Sequence, residues 1–229
     1  YRTCYCNNLA AEPTRIYLIS GPTFKQVSDH KVIEDRLYAA GISPLAGVDE
    51  AGRGACAGPL VVASVILRDV HASELAEVRD SKELTEKNRE ELFDVVTEAA
   101  LSVSVVIISN EEIDARGVHA ANLDGMRRAV QGLDVTPAYV LTDGYAIEGL
   151  ALPNLAVWKG DQVVTCISAA SIIAKVTRDR IMREMDLTYP EYGFTSHKGY
   201  ITKIHTEALA TYGVTPIHRR SFSNIAALL

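Results

Sequence analysis

The chain has 229 residues, of which 48% are hydrophobic and 23% are charged, as is typical of a globular protein with one domain of roughly 200 residues. Its longest apolar runs, residues 59–67 and 99–108, are shorter than the roughly 18 residues that a membrane span requires. This excludes a membrane protein, and we interpret both runs as buried strands. The net charge of −6 argues against a nucleic-acid partner, unless several acidic side chains converge on bound cations.

The N-terminus and the cysteines favour a cytoplasmic protein. No unbroken apolar segment opens the chain, so we predict no secretion signal. The four cysteines are scattered without a Cys-x-x-Cys pair, which argues against zinc binding and against a disulfide framework: Cys4, Cys6, Cys56 and Cys166. We therefore expect reduced thiols.

Hydrophobic periodicity and turn residues predict an antiparallel strand pair, then alternating helices and strands, then a helical C-terminal third. In chain order the predicted elements are a helix over 31–40, strands over 45–50 and 60–67, a helix over 85–100 with Thr85 as its N-cap, a strand over 101–108, helices over 110–116 and 118–131, strands over 138–142 and 155–158, and helices over 163–185 and 202–212. The first two strands must be antiparallel because their connection is short. We predict an α/β fold, with an irregular segment over 1–28 and one domain over 29–229 built on a mixed sheet flanked by helices.

Four carboxylates lie at the ends of predicted strands: Asp49 and Glu50 close one strand, and Asp143 and Asp161 each follow another. Groups at strand ends collect in one crevice of a mixed sheet, where carboxylates repel each other unless cations neutralise them. Oxygen ligands favour Mg²⁺ or Mn²⁺ over Zn²⁺. Neighbouring strand residues face opposite sides, so we expect one of Asp49 and Glu50 to lie past the strand end, with Asp49 as the central ligand.

Each acidic site also has a purely structural interpretation. Asp143-Gly144 is a common turn pair, and Asp161 could cap the helix over 163–185. Asp49-Glu50 could be a solvated strand end. Three matching strand ends together favour a divalent-metal site, and the residue pattern alone goes no further.

Residues 47–54, Gly-Val-Asp-Glu-Ala-Gly-Arg-Gly, resemble the signature of the bacterial type 2 ribonuclease H (ribonuclease HII) family. Further motifs similar to the family follow in the same order: Asp80-Ser81-Lys82, Asp143-Gly144, Lys159-Gly160-Asp161, residues 169–179, Tyr192-Gly193-Phe194, His197-Lys198-Gly199-Tyr200 and Pro216-Ile217-His218-Arg219. The resemblance extends over most of the chain, from about residue 45 to residue 222. Ile201 departs from it, because many relatives have glycine there.

The resemblance implies a ribonuclease H-like fold with a helical C-terminal extension. It implies an endonuclease that cuts the RNA strand of RNA–DNA hybrids and incises 5′ to single ribonucleotides embedded in duplex DNA, leaving 5′-phosphates. We also expect the protein to be a cytoplasmic monomer. Two Mn²⁺ or Mg²⁺ ions would act with the substrate. Asp49 would bridge them, Glu50 and Asp143 would complete one ion's shell, and Asp161 would serve the other.

Substrate contacts are implied at a further set of residues. The turn formed by Gly52, Arg53 and Gly54 would approach the 2′-hydroxyl, and Tyr200 would pack against the ribose. Phosphate contacts are expected from Lys82, Lys175, Arg178 and Lys198. A surface ion pair with Asp179 is the alternative for Lys175. We interpret His197, His205 and His218 as ordinary hydrogen-bonded side chains rather than metal ligands.

Three alternatives remain open. A type 1 ribonuclease H would lack the Gly-Arg-Gly turn, and a type 3 enzyme typically has lysine where Arg53 stands, with a larger N-terminal domain. A non-catalytic binder of hybrid duplexes would gain nothing from acidic side chains that face phosphates.

Overall fold

Five strands form one mixed sheet: β1 (Leu45–Ala51), β2 (Leu60–Leu67), β3 (Ala100–Ile108), β4 (Tyr139–Asp143) and β5 (Asn154–Val157). Their order across the sheet is β3-β2-β1-β4-β5. The pairs β1–β2 and β2–β3 are antiparallel, as the short link between the first two strands predicts, whereas β4 pairs in parallel with both β1 and β5. This computed structural model describes residues 32–78 and 85–229, so the segment 1–28 and Asp80-Ser81-Lys82 lie outside the described residues.

Helices cover both faces of the sheet and build the C-terminal third. They are α1 (Val32–Ala39), α2 (Glu86–Ala99), α3 (Asn110–Arg116), α4 (Val118–Gln131), α5 (Gly160–Val163), α6 (Thr165–Thr188), α7 (Phe194–His197), α8 (Lys203–Tyr212) and α9 (Ser223–Ala226). Thr85 caps α2 by accepting the Asn88 amide, as predicted. The helix predicted over 163–185 is wrong at its start, because Val164 is extended and separates α5 from α6.

Two apolar layers sandwich the sheet. One layer packs α1, α2 and α6 against one face, and the other packs α4 against the opposite face. All eight residues of β2 are buried, since a strand covered on both faces has no side in contact with solvent. No helix in residues 32–78 or 85–229 is long and apolar enough to cross a membrane.

Helix α6 lies unusually close to the central strand β1. A Cβ atom on Gly47 would stand 2.1 Å from the backbone carbonyl carbon of Cys166. The alanines predicted as packing positions, Ala169, Ala170 and Ala174, are fully buried on this helix. The buried carboxylate of Glu34 in α1 accepts the Thr165 and Cys166 amides at 2.8 and 3.0 Å, which satisfies donors at the start of α6. These contacts fix the position of α6 beside the end of β1.

Candidate active site

The carboxyl ends of the parallel neighbours β1 and β4 open into one cleft. Val48 of β1 pairs with Thr142 of β4, so the next residues, Asp49 and Asp143, lie side by side. The cleft has a volume of about 370 Å³ and is lined by Asp49, Glu50, Ala51, Gly52, Arg53, Gly54, Arg89, Asp143, Ser171, Ile172, Lys175 and Tyr200. Eight of the residues predicted from the sequence therefore meet at one place.

Asp49 lies at the base of this cleft in an environment that disfavours its charge. Its side chain is almost fully buried. Burial raises the pKa of Asp49 well above its usual range, and the carboxylates of Glu50 and Asp143 raise this pKa further. Hydrogen bonds from Ser171 and from the Glu50 amide, the latter at 2.7 Å, oppose the rise. A bound cation would relieve the same repulsion.

Glu50 reaches the cleft from within the strand. The expectation that one of the two neighbouring acids lies past the strand end is wrong, because β1 continues to Ala51 and Glu50 still pairs with Val62. The Glu50 carboxylate lies 3.8 Å from the Arg53 guanidinium. Both acids line the cleft because it forms around the strand's end.

Asp143 and Asp161 differ in their access to the cleft. Asp143 ends β4 and accepts the Gly160 amide at 2.7 Å, which connects it to the start of α5. Asp161, the next residue, is 1% exposed and does not line the cleft. It lies inside α5, so it is not the cap of the long helix. The structure thus brings three of the predicted acids together in the cleft, and the fourth directly follows Gly160, whose amide Asp143 accepts.

The donor set fits hard divalent cations, although it is not a preassembled cage. In the described part of the chain, no group of three or more His, Cys, Asp or Glu side chains is already spaced to hold a metal ion. Asp49, Glu50 and Asp143 nevertheless offer carboxylate oxygens to one cleft, and oxygen is the ligand that Mg²⁺ and Mn²⁺ prefer.

The Gly-Arg-Gly turn forms one wall of the cleft. Gly52 has a φ of +91°, and a Cβ atom there would stand 1.8 Å from Nε of Arg178, so only glycine fits. Gly54 faces the Tyr200 ring, which is 39% exposed and lines the same cleft. The Arg53 guanidinium lies 4.6 Å from the centre of the Tyr145 ring. Backbone and aromatic surface are therefore presented next to the carboxylates.

The predicted phosphate-binding cations have different surroundings. Lys175 lines the cleft and also forms the ion pair with Asp179 that was the alternative interpretation, so the two interpretations are compatible. Burial lowers its pKa, against the opposing effect of Asp179. Lys82 lies outside the described residues.

Arg178 and Lys198 do not reach the cleft. Arg178 is fully buried and donates to the carbonyls of Ala57 and Pro59, which makes a direct phosphate contact sterically inaccessible in this conformation. Lys198 is 6% exposed, donates to the Thr195 carbonyl and lies 3.3 Å from the Glu86 carboxylate. In this structure both side chains support the loops around the cleft, and the phosphate contacts expected of them stay predictions.

Four cleft residues had no role assigned from the sequence: Ala51, Arg89, Ser171 and Ile172. Ser171 precedes Lys175 by one helical turn, so helical periodicity could have placed both on the face towards the carboxylates. Arg89 belongs to α2, and no motif in the sequence connects it with the acidic residues.

The three histidines are hydrogen-bonded side chains, as predicted. His197 contacts the Tyr192 carbonyl at 2.8 Å, and His205 contacts both the Tyr200 carbonyl and His218 at 3.0 Å. His218 accepts the Thr215 amide at 3.0 Å. They lie behind Tyr200, and none of them lines the cleft.

Comparisons with known proteins agree with the family resemblance of the sequence motifs. The sequence model of the family described as Ribonuclease HII matches residues 46–225. The chain is 54% identical over 205 residues to ribonuclease HII of Rhodococcus opacus (strain B4), covering 90% of this chain and 91% of that protein. It is 53% identical over 205 residues to ribonuclease HII of Nocardioides sp. (strain ATCC BAA-499 / JS614), covering 90% of this chain and 85% of the relative.

The crystal structure of ribonuclease H2 from Pyrococcus horikoshii OT3 superposes with a TM-score of 0.70 at 30% identity. The match covers 80% of this chain and 96% of that chain. The mixed five-stranded sheet flanked by helices is thus the predicted ribonuclease H-like fold. The chain belongs to the ribonuclease HII family and is an endoribonuclease, a hydrolase that cleaves the RNA strand of RNA–DNA hybrids.

Proposed function

We propose that this enzyme also incises duplex DNA on the 5′ side of a single embedded ribonucleotide, as a step in removing ribonucleotides from DNA. One observation carries the proposal: the turn of residues 52–54 and the exposed Tyr200 line the same cleft as the carboxylates. The group that distinguishes RNA from DNA is the 2′-hydroxyl, so a site that reads one sugar must place its donors and acceptors beside the reacting phosphate. A cleft of this kind requires only one ribonucleotide in the substrate for recognition.

Four carboxylates would hold two divalent cations, Mn²⁺ or Mg²⁺: Asp49, Glu50, Asp143 and Asp161. Their oxygen chemistry and the mutual repulsion around Asp49 support this assignment. Divalent ions supply an activated water near neutral pH and offset negative charge on a phosphodiester. Asp161 directly follows Gly160, the residue whose amide donates to Asp143.

The chain's own residues orient the substrate around this centre. Lys175 presents a cation at the cleft beside the carboxylates, and Arg89 presents a second cation from α2. Both can contact backbone phosphates, which positions a duplex without reading its sequence. The Tyr200 ring offers a flat apolar surface on which a ribose can pack. The backbone at Gly52 and Gly54 is accessible because glycine has no side chain.

The acidic net charge does not oppose this function. The negative charge at the cleft comes from the carboxylates that are proposed to bind cations, and bound cations reverse the local charge. The substrate backbone would then meet a cationic centre flanked by Lys175 and Arg89.

The experiment compares long RNA–DNA hybrids with duplex DNA containing one ribonucleotide, in Mg²⁺, in Mn²⁺ and in EDTA. The variant Asp143→Asn removes a cleft carboxylate, whereas Glu148→Gln changes an exposed acid nearby and serves as its matched control. We expect metal-dependent cutting of both substrates, retained by Glu148→Gln and reduced at least about 10³-fold by Asp143→Asn. Cutting of long hybrids alone would refute the single-ribonucleotide proposal, and full activity of Asp143→Asn would refute the proposed centre.

A further inference from the structure

Two buried arginines support the Gly-Arg-Gly turn from behind. Arg219, in the segment after α8, donates to the carbonyls of Gly58 and Arg53 at 3.0 and 3.1 Å. Arg178, in α6, donates to the carbonyls of Pro59 and Ala57 at 2.9 and 3.1 Å. Both side chains are completely buried. The two guanidinium groups therefore hold four carbonyls of residues 53–59.

This arrangement is electrostatically unfavourable. Among the described residues, neither guanidinium forms an ion pair with a carboxylate. Burial, together with the nearby Arg178 charge, lowers the pKa of Arg219 to about 9, so Arg219 remains charged at neutral pH. A pair of buried cations costs folding free energy that apolar side chains would not. Their fork geometry supplies what apolar side chains cannot, namely fixed orientations for several peptide groups at once.

The contact between Arg219 and the Arg53 carbonyl determines where the next amide points. In a trans peptide the C=O and N–H bonds are antiparallel. Since the Arg53 oxygen points back to the buried guanidinium, the Gly54 N–H points away from it. Gly54 lines the cleft, and its amide has no hydrogen-bond acceptor within residues 32–78 and 85–229. The amide is thus a donor available to a bound substrate.

We propose that Arg219, supported by Arg178, is a specificity-determining positioning residue that directs the Gly54 amide towards the 2′-hydroxyl oxygen of the ribonucleotide. This inference rests on the proposed function of the turn. Arg178 contributes by holding Ala57 and Pro59, and its Nε occupies the space where a side chain on residue 52 would stand. The turn can then neither rotate its 53–54 peptide nor move back from the cleft.

Replacing Arg219 by lysine tests the hydrogen-bond geometry of this residue separately from its charge. A lysine at position 219 keeps a positive charge, but its single ammonium cannot reproduce the planar fork that binds two carbonyls. Loss of the fork frees the 53–54 peptide to rotate, and the Gly54 amide loses its direction. Arg220, the next residue, is exposed, so Arg220→Lys is a matched control.

The experiment measures binding so that chemistry does not obscure recognition. In an Asp143→Asn background, dissociation constants are measured for a duplex with one ribonucleotide and for the identical all-DNA duplex. We expect Arg219→Lys to reduce the preference for the ribonucleotide roughly 3- to 10-fold, which is the value of one hydrogen bond. Affinity for the all-DNA duplex stays unchanged, because phosphate contacts are retained. Arg220→Lys keeps the full preference.

A purely structural role predicts a different pattern, in which Arg219→Lys lowers the melting temperature and weakens both duplexes equally. That result, or an unchanged preference in a folded variant, would overturn the inference. If Arg219→Lys does not fold, Arg178→Lys tests the same support and must reduce the preference in the same direction. Cleavage at the ribonucleotide by the unmodified enzyme, with the preference retained in these variants, rejects this inference alone. Failure of the unmodified enzyme to cut there rejects the proposed function as well.

Discussion

Acidification should destabilise this enzyme through two buried histidines, His205 and His218, which are hydrogen-bonded to each other and to the Tyr200 carbonyl. The Thr215 amide can only donate, so Nδ1 of His218 must accept and its proton must lie on Nε2. That proton is donated to Nε2 of His205 at 3.0 Å, which leaves Nδ1 of His205 to donate to the Tyr200 carbonyl at 3.0 Å. All three of these hydrogen bonds can form only while both imidazole rings are neutral.

Protonation of His218 would remove the acceptor for the Thr215 amide and place a charge in a buried site. Burial, with a smaller effect of His205, lowers the pKa of His218 from 6.5 to about 4. The unfolded chain therefore binds more protons between these values, so the contribution of His218 to stability is complete above pH 6.5 and is lost as the pH falls towards 4. Between pH 7 and pH 5 the loss amounts to about 2 kcal/mol.

Urea unfolding of the metal-free protein at pH 7 and pH 5 measures this loss. The comparison uses His218→Gln, which cannot titrate, and His119→Gln, which changes an exposed histidine. The carboxylates titrate in all three proteins and cancel in the differences. We expect the parent and His119→Gln to lose about 2 kcal/mol more than His218→Gln. An equal loss of unfolding free energy in all three proteins would refute the proposal that His205 and His218 are neutral and hydrogen-bonded in this order.

Three substitutions test the packing and electrostatics around the cleft. Gly47→Ala would place a Cβ atom 2.1 Å from the α6 backbone, so thermal unfolding should show a destabilisation of about 3 kcal/mol or more; a change below about 1 kcal/mol would contradict the close approach. Gly52→Ala would displace Arg178 and the turn, so we expect kcat/KM for hybrid cleavage to fall on the order of 10²-fold, and unchanged kinetics would contradict the tight turn. Asp49→Asn should abolish cleavage yet raise the unfolding free energy in EDTA at pH 7, because it removes buried charge repulsion, and a destabilised variant would contradict that repulsion.

Local sequence patterns were sufficient to predict the strands and the meeting of the acidic residues at their ends. The short link between β1 and β2 required antiparallel pairing, and the β-branched run of residues 60–67 is a strand with those bounds. Asp49 and Asp143 meet because each lies at the carboxyl end of one of two parallel neighbours. Strand order could not be predicted, since it depends on how helices pack across the whole sheet.

The errors concern side chains whose partners are distant in the sequence. Arg178 resembles a surface cation when only its helix is considered, but its acceptors are carbonyls 119 and 121 residues earlier. Lys198 has its carboxylate partner in α2, 112 residues away. The break at Val164 similarly coincides with the contact from Glu34, which satisfies the start of α6 from another helix. Helical periodicity contains no information about such partners.

The most direct test of the central claim is product mapping on a duplex that contains one ribonucleotide, beside the same duplex with deoxyribose at that position. The two substrates differ by a single 2′-hydroxyl. We predict one cut on the 5′ side of the ribonucleotide, with a 5′-phosphate on the downstream product, and no cut in the all-DNA duplex. Cleavage of both duplexes, or of neither while long hybrids are cut, would contradict a cleft that joins recognition of one ribose to phosphodiester hydrolysis.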